Sequence, residues 1–277
     1  MSATAAIEPT RAAVPRGRVT QANVLRSEWT KLWTLRSTRW SLLAAVFAQG
    51  VLAIIVSAIQ MNRWTHLSIG DRLRFDSIDV GVGGYRLSQL AVGVLGVMII
   101  SGEYSTGMIR STFMAVPRRL PVLWAKLGVF SAVTFVLMLA ATFVSFFAVQ
   151  AIVTQHHLQH SIGDPHALRA VVGIALYLTV LGILAVGIGA LVRNTAGGIS
   201  LFVFLLFVLP GIFGILPASI SDSVNPYLPL NAGITVATST FEAGSHHLSP
   251  WGGFAVLCGY AAVAVIAAAI GLKRRDA

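Results

Sequence analysis

Long, nearly unbroken apolar runs alternate with shorter polar stretches along this chain. The runs are Trp40–Ile59, Leu87–Ser101, Val122–Ile152, Ala170–Val192, Ala196–Leu216 and Trp251–Leu272. A helix needs about 20 apolar residues to cross roughly 30 Å of hydrocarbon. Backbone amides in lipid must be paired within their own segment, which favours helices. The pattern therefore predicts an all-α polytopic membrane protein. Its six transmembrane helices fall at about 40–60, 84–101, 122–152, 169–192, 196–217 and 250–272.

Ahead of the first run, residues 23–38 show a different period. Leu25, Trp29, Leu32 and Trp33 recur at the spacing of one helical face, and Arg26, Thr30, Thr34 and Ser37 lie on another. Tryptophan on the apolar face and basic residues around it suit a helix lying at the headgroup boundary. An N-terminal interfacial amphipathic helix is expected there, with Asn23 as a candidate cap. The Ala-, Pro- and Arg-rich residues 1–20 read as a disordered tail, and 21–277 as a single domain.

The connections carry the remaining signals. Met61–Arg86 reads as a polar external loop, and Asp71, Asp76 and Asp79 lack the later glutamate of a calcium loop. Between the second and third spans, Gly107 turns the chain and Met108–Val116 forms a short helix. Met108, Ile109, Phe113 and Val116 lie toward one of its sides. Pro117 ends it, and Pro121 suits the first turn of the next. His156, His157, His160 and His166 give at most two ligands on one helix face, short of a zinc site, so a polar loop is the expectation. His246–His247 is read the same way. Pro210-Gly211 should kink the fifth span. Asn231–Thr240 is apolar but only half a bilayer long, which leaves a re-entrant segment open. Small residues at Gly93, Gly96, Gly182, Gly187, Gly189, Ala261 and Ala268 let helices approach closely.

Composition narrows the class further. The chain is 56% hydrophobic and 11% charged, against about 25% charged in soluble domains, so no separate soluble domain fits. The net charge of +10 is not a nucleic-acid signal, because the basic residues flank the spans. Fifteen of the 20 lie on the side shared by both termini, with Lys126 counted in the second connection beside Arg110, Arg118 and Arg119. Positive charge favours the cytoplasm, so both termini are expected there. Cys258 is the single cysteine, which excludes an intrachain disulfide.

Several chemistries are missing. The span interiors read as free of Lys, Arg, Asp, Glu and His, against proton-coupled transport. No His-Glu-x-x-His is present, nor a Gly-x-x-x-x-Gly-Lys-[Ser/Thr] loop, so ATP is not hydrolysed by this chain.

Three segments carry a resemblance. Ser27-Glu28-Trp29-Thr30-Lys31-Leu32-Trp33-Thr34-Leu35-Arg36-Ser37 is similar to an entry helix. Gly102-Glu103-Tyr104-Ser105-Thr106-Gly107-Met108-Ile109-Arg110, continuing through Val116-Pro117-Arg118-Arg119, resembles a Glu-Tyr-x-x-Gly-x-x-Arg stretch after a second span. Tyr227-Leu228-Pro229-Leu230-Asn231-Ala232-Gly233 looks like an external motif before a last span. The family resembled is that of the ABC-2 type permeases, membrane subunits of bacterial ATP-binding-cassette exporters. The resemblance implies a non-catalytic half-transporter in the bacterial cytoplasmic membrane. It implies a second permease copy or homologue and two cytoplasmic ATPase subunits as partners. This chain then holds no cofactor, and ATP and magnesium belong to the ATPase. Glu103, Tyr104, Thr106, Gly107, Arg110, Pro117, Arg118 and Arg119 would form or flank the ATPase contact, with Arg193 in a smaller second one. Phe202, Phe204, Phe207 and Pro210 would lie near the translocation route or dimer interface. The cargo would be hydrophobic or amphipathic: a drug, a peptide antibiotic or a lipid. The residues themselves leave two alternatives open, an ATP-independent facilitator or channel for an uncharged solute, and a non-transporting scaffold or sensor subunit.

Overall fold

The structure is a computed structural model that describes residues 20–116, 119–239 and 248–274. The expected tail and His246–His247 therefore lie outside the described residues, apart from Thr20, as do Pro117 and Arg118. Among the described residues there are helices and no strands. They run α1 Gln21–Thr34, α2 Arg36–Asn62, α3 Ile69–Leu73, α4 Ser77–Val82, α5 Tyr85–Ser105, α6 Met108–Ala115, α7 Arg119–Val153, α8 Ala167–Val192, α9 Thr195–Val203, α10 Leu209–Gly214, α11 Ala218–Val224, α12 Pro229–Ile234 and α13 Pro250–Arg274. Six segments are long and apolar enough to span: α2, α4 with α5, α7, α8, α9 with α10, and α13. The chain is an all-α polytopic membrane protein.

The fourth span, α8, is the centre. Helices α5, α7 and α13 pack around it. The crossing with α5 needs small residues: a Cβ on Gly96 would strike the Gly182 carbonyl and Ala185, and one on Gly189 would strike the Val97 backbone. Buried Tyr177 adds a hydrogen bond of 2.6 Å to Gln89 across the same crossing.

The second span enters earlier than the hydropathy pattern implies. Ser77–Val82 is helical, so Met61–Arg86 is not one loop. The helix breaks at Gly83-Gly84 and restarts at Tyr85. Side chains satisfy the carbonyls freed there: Ser145 donates to Gly81 O (2.6 Å) and Gln49 to Val82 O (3.1 Å). Broken helices are tolerated in membranes on that condition.

The fifth span is also irregular. A π turn covers Phe204–Val208, with Leu209 N donating to Phe204 O. The sequence places a kink at Pro210, and the deformation sits just before it. A proline ring collides with the carbonyl four residues back, here Leu206, and widening that turn relieves the clash. Helix α12 is buried at Ala232 and Gly233 and packs on α13 and α8.

Candidate functional site

One end of the bundle carries α1, the ends of α5, α8 and α13, the starts of α7 and α9, and the short helix α6. This is called the α1 face, and the opposite end the far face. Thr20, not Asn23, caps α1, because the helix starts at Gln21; its Oγ1 accepts from Asn23 N. Leu35 is extended and divides α1 from α2, so the expected 23–38 helix is two helices. The buried side of α1 is Val24, Glu28 and Leu32, while Leu25, Trp29 and Trp33 remain exposed. The period-based face thus combines one protein-facing leucine with three outward residues.

Glu28 meets a partner that the sequence had assigned to a connection. Helix α7 starts at Arg119, so Lys126 lies two turns inside it and is buried. This corrects the reading of charge-free spans. Lys126 Nζ donates to Glu28 Oε2 at 2.6 Å and to Glu103 Oε1 at 2.7 Å. Lys31 Nζ donates to Glu28 Oε1 at 2.8 Å and Glu103 Oε1 at 2.9 Å, and reaches Thr112 Oγ1 at 3.4 Å. Two carboxylates and two ammonium groups therefore join α1, α5 and α7, with α6 attached through Thr112. Burial pulls the Lys31 ammonium pKa down, but Glu28 and Glu103 outweigh it and hold it above the usual lysine value. Glu103 Oε2 is buried and has no hydrogen bond among the described residues.

This ionic cluster borders a cavity of about 410 Å³, otherwise mainly apolar, with Leu32, Leu95, Met98, Ile99 and Val129 on its walls. The cavity separates part of α1 from α5.

The other expected coupling residues fall around the same face. Thr106 ends α5, its hydroxyl donating back to Gly102 O (2.8 Å). Gly107 has φ of 71°, the left-handed conformation that a side chain would strain, and so redirects the chain into α6. On α6, Ile109 is buried and Arg110 is exposed. Glu103 and Arg110 do not brace one another: Glu103 is committed to two lysines. The Arg193 guanidinium lies 5.1 Å from the Tyr104 ring centre and donates to Gly271 O. Arg119 donates to Leu272 O at 3.1 Å. Both thus cap carbonyls in the last turn of α13, which lack helical partners.

The fifth-span residues do not form one group. Phe202 is buried against Gly93, where a Cβ would collide with its ring. Phe204 is exposed, and Phe207 and Pro210 are half-buried.

On the far face, the histidines do not converge. His156 ends a 3-10 turn and His160 lies beyond it, so the two share no helix face. The His160 ring bonds Ser77 Oγ at 2.8 Å. Among the described residues no group of His, Cys, Asp or Glu could hold a metal ion.

What sequence reasoning missed is the joining of Glu28, Lys31, Glu103 and Lys126. One signal was present: Glu28 and Lys31 stand at i, i+3 spacing on the amphipathic helix. No curated protein matches this chain. The family model described as "ABC-2 family transporter protein" matches residues 85–277, more than half of the chain. A six-span helical bundle and that match together make this chain a member of the ABC-2 transporter family, and so a permease subunit of an ABC transporter.

Proposed function

We propose that this permease exports a hydrophobic or amphipathic substrate from the bacterial cytoplasm, driven by two separate ATPase subunits that dock on the segment 101–121. The α1 face is then cytoplasmic, with both termini. One observation carries the reading: α6, presenting exposed Arg110, is linked through Thr112, Lys31 and Glu103 to three membrane-associated helices. A push on α6 is thereby delivered to α1, α5 and α7 together. Side chains in one fixed ionic cluster transmit displacement better than a flexible loop, because no member can move without uncovering a buried charge. The cavity beside α1 leaves room for that movement.

Tyr104, Thr106, Gly107 and Arg119, with Pro117 and Arg118, shape or flank the docking segment. Arg193, stacked on Tyr104, extends it to the fourth span. The fifth span supports a pairing role: little of it is buried within the chain, and Leu201, Phe204, Val208 and Ile212 are exposed. A second permease copy or homologue would cover that stripe, with Phe204, Phe207 and Pro210 near the route and Phe202 bracing it from inside. ATP and magnesium act in the partner chain. Lipid meets Leu25, Trp29 and Trp33.

The test is co-purification with the ATPase. Arg110→Ala should weaken ATPase binding and uncouple hydrolysis from transport in proteoliposomes. Unchanged binding and transport in that variant, or uphill transport by vesicles holding this chain alone, would overturn the reading.

A further inference from the structure

On the far face, a single hydroxyl is caught between two carboxylates. Ser239 Oγ lies 2.6 Å from Asp76 Oδ2 and 2.7 Å from Asp79 Oδ1. Ser239 N also donates to Asp79 Oδ1 at 3.2 Å. Both O···O separations are those of charge-assisted hydrogen bonds. A serine hydroxyl has one hydrogen, so it donates to only one of the two aspartates. The other short separation needs a hydrogen from a carboxyl group. Asp76 supplies it without rearrangement: Oδ1 accepts from Ile78 N at 2.7 Å, which leaves Oδ2 to carry a proton. The order is then Asp76 O–H to Ser239 Oγ, and Ser239 O–H to Asp79. The proton belongs to the pair of aspartates, as in other closely coupled carboxyls.

We propose that Asp76, Ser239 and Asp79 form a proton-closed latch, which fastens the segment between the fifth and sixth spans to the start of the second. Loss of one proton leaves two negative carboxylates sharing one hydrogen, and Ser239 is released from them. Residues 236–238 stay held, because Arg169 donates to Val236 O and Thr238 O at 3.0 Å each.

The surroundings carry charge on one side only. Arg86 of α5 is the cation near Asp79, and Arg169 of α8 lies behind the segment, donating to its carbonyls. From α7 and α2 the groups facing α4 are neutral: Gln150, Ser145 and Gln49. The His160 ring bonds Ser77, beside Asp76. None of this depends on ATPase docking.

The experiment uses the full chain in lipid nanodiscs, where both faces meet the buffer. Infrared spectroscopy reads the carbonyl stretch of a protonated carboxylic acid, and hydrogen exchange gives protection factors for a peptide covering residues 228–239. In the difference spectrum between the unaltered and Asp76→Asn chains, an acid band should be present near pH 4 and disappear by about pH 8. Protection at Ser239 should fall with it, by roughly tenfold per pH unit above the midpoint, the limit for one linked proton. Asp76→Asn supplies an N–H in place of the shared proton, so protection should stay high and flat while the acid band is lost. Ser239→Ala should give low, flat protection. A difference spectrum with no titrating acid band, or an Asp76→Asn chain whose protection still follows pH, would overturn the latch.

Discussion

Each end of this bundle holds a pair of carboxylates, and the two ends neutralise them differently. At the α1 face, Glu28 and Glu103 share Lys126 and Lys31. At the far face, Asp76 and Asp79 share Ser239. A fixed cation compensates at any physiological pH, whereas a hydroxyl compensates only if one carboxyl keeps a proton. The α1 cluster is thus built for constant connection, and the far-face group, on our reading, for adjustable connection. The difference comes from which residue lies between the acids.

Removing one cation should have the largest effect. Lys126→Ala leaves buried Glu28 and Glu103 with Lys31 alone and should cost about 3–5 kcal/mol, the range for breaking a buried pair. A large fall in the thermal transition of the detergent-solubilised protein would show it. The comparison sharpens with Lys126→Leu made together with Glu103→Leu. That double change leaves Glu28 and Lys31 as a balanced pair, so it should lose less stability than Lys126→Ala. A double that is worse than the single would show that packing, not charge, governs the site.

On the far face, Ser239→Ala removes a hydrogen bond to a charged group, worth about 1.5–3 kcal/mol. The loss should be local, visible in hydrogen exchange near residue 239 rather than in the global transition.

The pH responses should differ in sign and range. The Lys31 ammonium is raised above its ordinary value, so its contribution is complete below the unfolded-state pKa and is lost as pH rises through the folded one. Between about pH 6 and pH 9 the Lys31 contribution should be constant. The far-face latch should already loosen within or below that window. Equal pH sensitivity of the two regions in hydrogen exchange would erase the contrast.

The smallest structural effect is expected at Arg110. It is exposed, and surface substitutions away from special features stay within about 0.5 kcal/mol. Arg110→Ala should therefore unfold with the unaltered chain while failing to couple with its ATPase.

Much of the architecture was legible in the residues. Apolar runs at Trp40–Ile59 or Ala170–Val192 leave few solutions in a solvent that cannot satisfy amides. Gly107 and the short helix after it could be read from turn chemistry. The helical start at Ser77 could not, because its backbone is completed by Gln49 and Ser145 from other spans. The π turn at Phe204–Val208 was half legible: Pro210 announces a defect, but not how the preceding turn absorbs it. Lys126 was misplaced for a related reason. A window average marks the apolar body of a helix, and a lysine near its start looks like part of the preceding connection.

By itself the sequence determined the solvent, the number of spans, the short helix beyond Gly107 and the family. These follow from composition and local period, which act over one or two helical turns. Tertiary structure alone decided that Glu28, 98 positions from Lys126, would be its partner, and that Ser239 would lie between Asp76 and Asp79. Charge pairing and proton sharing act over a few ångströms, and only the packing of helices distant in sequence brings such groups within that reach.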